Sequence, residues 1–145
     1  MEPEIDIDCA CASVRRTARL ITKLYARQMG KALEPTQFSL LSMLDRMPGR
    51  GQSVLAKALG LDKTTLSRNL TLIQKRGWIE PVPGDDLRER GYRLTVRGSR
   101  LLAKTRPGWQ NAQDELRAAM TPAEWQAMMT AFRVAGRAAR SAGLD

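Results

Sequence analysis

Histidine is absent from the 145-residue sequence, and cysteine occurs only twice. Without histidine the chain has neither a Ser-His-Asp triad nor a histidine-ligated zinc site, and two cysteines are too few for a disulfide framework. No apolar run approaches the roughly 18 residues that a membrane-spanning helix requires. The first residues are acidic, unlike the basic start of a secretory signal. These absences predict a cytoplasmic protein without a membrane-spanning helix or a histidine-ligated zinc site, and we expect no metal or cofactor.

Basic residues are abundant, and the 24 Lys and Arg against 15 Asp and Glu give a net charge of +9. Residues 15–31 contain six bases and no acid, residues 62–100 contain nine bases and five acids, and residues 1–14 contain four acids and no base. Clustered positive charge indicates an anionic polymer as the partner, above all a nucleic acid. The alternative is a solvated protein that is basic without having such a partner.

The apolar pattern predicts a mainly helical chain. Val14, Ala18, Ile21 and Tyr25 recur at helical spacing, which predicts a first helix over residues 9–31. Another face of this helix carries a basic row, which is either its solvated side or a contact for flanking DNA phosphates. The row consists of Arg15, Arg19, Lys23 and Arg27.

Two more helices are expected before residue 60. Proline suits a first helical turn, so a second helix should begin at Pro35. A turn over residues 48–51 then leads to a short helix over residues 52–59. Glu34 is a poor N-cap, and Gly51 stands where a Ser or Thr cap is usual, so each could weaken its helix start by about 1 kcal/mol.

A glycine turn and a hairpin are predicted to follow. Gly60 should end the short helix, and Asp62 should cap the next helix, over residues 62–76. Strands over residues 78–82 and 92–94 should then form a hairpin around a polar loop. This order of elements is typical of a winged helix-turn-helix.

The C-terminal part predicts two further helices. Thr95 should cap a helix from about residue 96, which Pro107 and Gly108 should kink or break. Thr121 should begin the last helix with a capping box. An apolar stripe on that helix is a candidate either for a dimer interface or for an intrachain core. It consists of Trp125, Met128, Met129 and Phe132.

The helix after Gly60 is polar where a DNA-reading helix must be, because only Leu66 is apolar in its first two turns. Arg68 can donate a pair of hydrogen bonds to guanine, and Asn69 can pair with adenine. Residues at the helix start are better suited to phosphate or backbone contacts. The alternative is an ordinary exposed helix. The predicted DNA contacts here are Lys63, Thr64, Thr65, Ser67, Arg68 and Asn69.

The hairpin loop predicts a second DNA contact. An arginine at a hairpin tip fits the negative potential of a narrow minor groove, which points to Arg88, with Arg90 beside it. Asp86 is expected to orient the Arg88 guanidinium by a salt bridge. The alternative is a solvated turn.

These features together resemble the MarR family of bacterial transcriptional regulators, over about residues 9–143. The resemblance rests on Leu55-Ala56 through Gly60-Leu61-Asp62-Lys63-Thr64-Thr65 and on Lys75-Arg76-Gly77-Trp78-Ile79-Glu80. Its most specific part is Asp86-x-Arg88-x5-Leu94-Thr95-x-x-Gly98, which is similar to the family's wing signature. The resemblance implies a homodimer whose first and last helices interlock and whose subunits each bind half of a palindromic operator.

The implied fold is mainly α with a small β-hairpin wing. An acidic tail over residues 1–8 precedes a helical dimerisation region over residues 9–34 and 101–145. The winged helix-turn-helix occupies residues 35–100. The apolar stripe of the last helix becomes a candidate for the dimer core.

Two kinds of signal are conceivable under this resemblance. Cys9 and Cys11 stand at the start of the first helix, where helix amides and nearby arginines favour a reactive thiolate. Their alternatives are small semi-buried residues or, in a dimer, a soft-metal site. A small, often aromatic or anionic effector is the other family mechanism, with Tyr25, Met29 and Trp109 as candidate pocket residues. Core packing is the favoured alternative for each of them.

The sequence therefore predicts a dimeric, sequence-specific DNA-binding regulator, acting mainly as a repressor, that a ligand or an oxidant releases. The rival hypothesis is a winged-helix module that binds proteins and has no specific DNA affinity. An enzyme is a third class, since Asp85, Asp86 and Glu89 could bind a metal. These carboxylates lie in a basic loop, however, so no enzymatic activity is expected.

Overall fold

The computed structural model describes residues 8–143, which form two compact units, residues 8–109 and 110–143. The elements of the first unit are α1 (Ala10–Met29), α2 (Pro35–Arg46), α3 (Gln52–Leu59), α4 (Lys63–Lys75), β1 (Ile79–Pro83), β2 (Arg90–Leu94) and the first part of α5 (Val96–Ala118). The second unit contains the rest of α5 and α6 (Pro122–Ser141). This order confirms the predicted mainly helical fold with one hairpin. None of the helices between residues 8 and 143 is long and apolar enough to cross a membrane.

The core of the first unit is built mainly from leucines of the helices. Burying one such side chain contributes about 1.5–3 kcal/mol, so this cluster fixes the packing of the helix-turn-helix. The apolar side chains Leu66, Leu70 and Ile73 of α4 lie within this core. The most deeply buried side chains are Leu33, Leu40, Leu41, Leu44, Leu55, Leu66, Leu70, Ile73, Ile79 and Leu102.

The helix starts use the predicted capping residues. Glu124 N donates to Thr121 Oγ1 at 3.2 Å and Thr121 N donates to Glu124 Oε2 at 2.8 Å, so the capping box of α6 is confirmed. Thr121 Oγ1 also donates to Glu124 Oε2 at 3.0 Å, and the two hydrogen bonds that the carboxylate accepts from Thr121, the backbone one first, hold the pKa of Glu124 below its usual range. At the start of α2, Glu34 N donates to Gln37 Oε1 at 3.1 Å. The weakness expected there is therefore partly compensated from within the first turn.

Of the kink or break predicted at Pro107 and Gly108, the break is wrong, because α5 continues to Ala118. Proline removes one backbone hydrogen bond and costs about 3 kcal/mol inside a helix. Tertiary packing on both sides of it outweighs that cost. Leu102 and Thr105 are buried before the proline, and the Trp109 ring stacks on Phe38 with centroids 5.8 Å apart.

The wing is a two-stranded antiparallel hairpin. Its register runs from the pair Ile79 and Leu94 to the pair Pro83 and Arg90. Both strands extend slightly closer to the loop than the sequence predicts. The loop that joins them therefore spans residues 84–89.

Candidate nucleic-acid interface

The turn between α3 and α4 forms as the sequence predicts. Gly60 has φ 64° and ψ 28° and ends α3. This left-handed conformation is unfavourable for residues that carry a Cβ atom, so glycine suits the position. Leu61 N then donates to Ala56 O at 3.0 Å. Leu55 on α3 and Leu66 on α4 are both fully buried in the shared core. The helix-turn-helix is therefore a rigid unit that fixes the direction of α4.

The start of α4 is fixed by Asp62. Thr65 N donates to Asp62 Oδ1 at 2.7 Å, and Thr65 Oγ1 donates to Asp62 Oδ2 at 2.8 Å. These two hydrogen bonds, the backbone one first, hold the pKa of the Asp62 carboxyl below its usual range. The carboxylate also lies at the positive end of the helix dipole, which stabilises its charge.

The predicted DNA-reading residues of α4 fall into two groups. Lys63, Thr64, Ser67 and Arg68 have exposed side chains. Thr65 and Asn69 are half-buried, and their side chains bind groups at the start of α4. Thr65 Oγ1 donates to the N-cap carboxylate of Asp62, and Asn69 Nδ2 donates to Thr65 O at 3.0 Å. The face open to a ligand is thus formed by the first group.

The wing loop presents its arginines to solvent, but Asp86 acts differently from the prediction. Arg88 and Arg90 are both exposed. Asp86 Oδ1 accepts a hydrogen bond from Arg88 N at 3.0 Å, and among residues 8–143 no ion pair joins its carboxylate to the Arg88 guanidinium. The predicted salt bridge is therefore wrong. A short acidic side chain readily binds the backbone amide two residues on, so it shapes the loop instead.

The three loop carboxylates diverge from one another. Asp85 Oδ2 lies 3.4 Å from Arg50 Nη1, Asp86 binds the backbone of Arg88, and Glu89 binds Ser53. Within the described part of the chain, no group of three or more carboxylate or thiol side chains is arranged to hold a metal ion.

The turn before α3 packs against the wing, which the sequence did not reveal. Gly51 and Gly91 form an isolated antiparallel bridge. Gly49 N donates to Tyr92 O at 2.9 Å, and Asp85 N donates to Gly49 O at 3.3 Å. The only sign of this contact in the sequence is the presence of Gly49, Gly51 and Gly91. Glycine has no side chain, so two backbone segments can approach each other closely there.

Glu89 supplies the cap that α3 lacks locally. Ser53 N donates to Glu89 Oε2 at 3.2 Å, and Ser53 Oγ donates to Glu89 Oε1. The hydrogen bonds from Ser53, its hydroxyl first, together with the positive charge of Lys63, hold the pKa of Glu89 below its usual range. The expectation of a poorly capped α3 is therefore wrong, because the capping carboxylate comes from 36 residues away.

Thr95 and Gly98 join the end of the wing to the end of α4. Thr95 Oγ1 donates to Gly77 O and accepts from Gly98 N at 3.0 Å, while Thr95 N donates to Trp78 O at 3.0 Å. Gly98 lies so close to Trp78 that a Cβ atom would overlap the Trp78 carbonyl oxygen. This gives a packing reason for the Leu-Thr-x-x-Gly part of the wing signature.

A cavity of about 240 Å³ lies between α2, the end of α3 and α5. Its apolar wall includes the stacked Phe38 and Trp109 rings, and its polar lining includes Arg46, Arg106 and Ser42. The Ser42 Oγ is buried and has no hydrogen-bond partner among residues 8–143. The cavity therefore combines an aromatic surface with positive charge and an unused hydrogen-bonding group.

Of the three candidate effector residues, Trp109 lines this cavity. Met29 is buried in the core and Tyr25 packs against it, and neither is among the lining residues. Burial raises the pKa of the Tyr25 hydroxyl. Core packing is thus the observed role of these two side chains.

The two cysteines are exposed in the single chain and are not semi-buried within it. Cys9 is the N-cap of α1, and its carbonyl oxygen accepts from Ser13 N at 3.0 Å. Cys11 lies in the first turn of the helix. Both thiols are accessible to a reagent in solution, whereas their redox activity stays a prediction.

The apolar stripe of α6 is only partly covered within the second unit. Trp125 is 7% exposed, and the Arg117 guanidinium lies 5.4 Å from its ring centre. Met128 is half-buried, whereas Met129 and Phe132 are 36% and 49% exposed. The exposed part of the stripe is compatible with the predicted dimer interface, which stays a prediction.

Comparison with known proteins identifies the family. A model of the MarR family matches residues 33–89. The M. tuberculosis transcriptional regulator MosR, solved in complex with DNA, is 32% identical with a TM-score of 0.84, over 94% of this chain and 100% of MosR. A second MosR structure is 30% identical with a TM-score of 0.80, over 92% and 97% of the two chains.

A more distant structure shares the fold. The Streptomyces coelicolor transcriptional regulator PcaV, solved with its natural ligand, is 21% identical with a TM-score of 0.83, over 95% of this chain and 99% of PcaV. No curated protein sequence matches the chain. The family match within the winged helix-turn-helix, together with the identity to MosR over the full MosR chain, shows that the chain belongs to the MarR family of transcriptional regulators.

Proposed function

We propose that two copies of this chain bind a palindromic operator and repress transcription until a small ligand or an oxidant releases them. Each α4 reads the major groove, and each wing places Arg88 in a minor groove. The observation that carries the proposal is the exposed polar first half of α4 beside an exposed, arginine-bearing hairpin. The similarity to MosR, which was solved in complex with DNA, supports it.

The exposed side chains divide the work between positioning and reading. Lys63 and Thr64, at the N-terminus of α4, bind phosphates and set the register of the helix. Arg68 donates to guanine from the second turn. Arg88 and Arg90 add positive charge where the minor groove concentrates negative potential. Binding releases counterions, so affinity falls steeply as salt rises.

The proposed dimer matches the two-fold symmetry of the proposed palindromic operator. Recognition helices related by such an axis lie about 34 Å apart, one turn of DNA. Residues 9–34 and 101–145 form the dimerisation region, and residues 35–100 the DNA-binding region. The exposed Met129 and Phe132 of α6 offer an apolar face for the second copy.

Oligomeric state tests this part directly. Light scattering of the purified chain should give a dimer. Phe132→Asp should dissociate it, because a charge would be desolvated in the interface. Gln126→Asp adds the same charge at an exposed position of α6 and should leave the dimer intact. A monomeric wild-type chain would contradict the proposal.

The decisive experiment is selection of bound duplexes from a random pool, and a palindromic consensus is expected. On the selected duplex, Arg88→Ala should weaken binding by about tenfold or more. Arg93→Ala is the matched control on the same hairpin, since Arg93 is paired with Glu80 at 2.7 Å and is not a predicted DNA contact. Equal weak affinity for every duplex would refute sequence-specific recognition.

Release is proposed through one of two routes. The cavity beside Trp109 offers an aromatic wall and two arginines to a small anionic aromatic effector. The exposed Cys9 and Cys11 offer an oxidant-sensitive alternative. Dissociation of the DNA complex by peroxide that is lost in Cys9→Ser supports the second route. Dissociation by phenolic compounds that persists in that variant supports the first, and dissociation by neither would refute release by these classes.

The same proposal places the protein in the cytoplasm, with the DNA, and assigns it no catalytic activity. Incubating the chain with nucleic acid and divalent metals should yield no turnover. Measurable cleavage would contradict this assignment.

A further inference from the structure

Glu89 stands between two arginines of the wing, yet its carboxylate binds α3. Ser53 N donates to Glu89 Oε2 at 3.2 Å, and Ser53 Oγ donates to Glu89 Oε1. We propose that Glu89 is a positioning residue for DNA recognition, which holds the wing at a fixed place relative to α4 by capping α3. The inference rests on the proposed function, because it concerns how the two DNA contacts are held in register.

The start of α3 is shaped to receive this carboxylate. Gly51, the N-cap residue, has no side chain, and a Cβ atom there would overlap the Glu89 carboxylate and lie 3.1 Å from Glu89 Cβ. The first amides of a helix have no partner within the helix, and the dipole favours a negative group beside them. A carboxylate from the wing thus occupies the place that a local Ser, Thr or Asp would normally take.

The contact connects the wing to the recognition helix through rigid parts. Ser53 belongs to α3, which is joined to α4 by the Gly60 turn and by their shared core. Lys63, the first residue of α4, contributes positive charge at Glu89. Backbone hydrogen bonds also tie the wing to the turn before α3, but they hold Tyr92 and Asp85 to Gly49 and do not reach α3. The ion pair of Arg50 with Asp85 at 3.4 Å is exposed and therefore weak. Among the side chains of the loop over residues 84–89, Glu89 is therefore the one that fixes the loop to α3.

Long-range electrostatics and positioning of the wing predict opposite changes in DNA affinity when the Glu89 side chain is removed. A negative charge near the DNA surface opposes binding, so long-range charge alone predicts that Glu89→Ala binds DNA more tightly. If the carboxylate instead holds Arg88 in place, the wing of the variant samples many positions. Binding must then order it again, and affinity falls. The direction of the change distinguishes the two roles.

The first test measures affinity for the duplex that the wild-type chain selects from a random pool, across a range of salt concentrations. Glu89→Ala should weaken binding about tenfold and lower the slope of log affinity against log salt by about 1, as expected for loss of one ordered phosphate contact. Glu89→Gln keeps an acceptor for Ser53 N and a donor for Ser53 Oγ, and it should stay within about threefold of wild type. Gly51→Ala should resemble Glu89→Ala because it displaces the carboxylate.

A matched control removes the same charge elsewhere on the hairpin. Glu80 lies on β1 and pairs with Arg93, away from α3. Glu80→Ala should leave affinity unchanged or slightly raise it. Circular dichroism of each variant confirms folding, and Gly51→Ala keeps the test open if Glu89→Ala is poorly folded.

A double-mutant cycle with Arg88 separates this inference from the proposed function. In the wild-type background Arg88→Ala should cost about tenfold or more, whereas in the Glu89→Ala background it should cost less than about threefold, since coupled residues are non-additive. Unchanged or tighter binding by Glu89→Ala, or a full Arg88 effect in that background, overturns the positioning role alone. Loss of any Arg88 effect in the wild-type background overturns the wing assignment itself.

Discussion

Gly98→Ala should destabilise this protein, although replacing glycine by alanine inside a solvent-exposed helix normally stabilises the helix. In a solvent-exposed helix interior, replacing glycine by alanine gains about 1 kcal/mol. Gly98 lies in the first turn of α5, against the backbone of Trp78, which connects α4 to β1. A Cβ atom there would overlap the Trp78 carbonyl oxygen and lie 2.8 Å from the carbonyl carbon and 3.1 Å from Cα.

The size of the destabilisation depends on which atoms must move to make room for the new Cβ atom. All three neighbouring atoms belong to the backbone of Trp78, so no side-chain rotation can relieve the overlap. Trp78 O also accepts from Thr95 N at 3.0 Å, and a shift of either segment disturbs that hydrogen bond. Overpacking typically costs about 1–3 kcal/mol, and the upper half of that range applies to backbone overlap. The gain in helix propensity offsets part of this cost, so we expect the free energy of unfolding to fall by about 1–2 kcal/mol.

Urea denaturation at fixed protein concentration measures this loss as a lower free energy of unfolding. Thermal unfolding should show a Tm lower by about 3–6 °C. Ser99→Ala is the control, because the exposed neighbour in the same turn also gains helix propensity and should change stability by less than about 0.5 kcal/mol. A Gly98→Ala variant as stable as wild type would refute the packing argument.

Three further predictions concern the core, the reading helix and pH. Leu66→Ala should lower the free energy of unfolding by about 2–5 kcal/mol, because the fully buried side chain leaves a cavity; urea denaturation measures this, and a loss below about 1 kcal/mol would contradict it. Arg68→Ala should relax base preference in competition binding, whereas Lys63→Ala should weaken all duplexes about equally; identical base profiles would contradict the division of roles. Because histidine is absent, Tm should be nearly constant between about pH 5.5 and 8. The Glu89 and Asp62 carboxyls have lowered pKa values, so their stabilisation is present above their ordinary values of 4.5 and 3.8 and is lost as pH falls through the folded values. A transition centred near pH 6.5 would contradict this.

Several elements were predictable because their determinants lie within a few residues of one another. Asp62 caps α4 through Thr65, three residues on, and the Thr121 box closes on Glu124 in the same way. Gly60 ends α3 because a left-handed residue is needed there. Local hydrogen-bonding geometry decides each case, so the sequence alone contains enough information.

Other features required partners that are distant along the chain. Pro107 predicted a break in α5, but its cost is outweighed by packing such as that of Trp109 on Phe38. The expected pairing of Asp86 with the Arg88 guanidinium was wrong for a local reason, because the Asp86 carboxylate accepts from the backbone amide of Arg88 instead. Periodicity and composition contain no information about such competition.

The sequence by itself determined the winged helix-turn-helix order, the polar face of α4 and the positive charge of the wing, since these depend on residue type, spacing and local caps. Only the tertiary structure decided how the wing is held, because the Glu89 carboxylate and Ser53, whose α3 amide it caps, are separated by 36 residues. Such contacts form when the core brings distant segments together. The position of the wing is therefore a property of the folded chain and of no single segment within it.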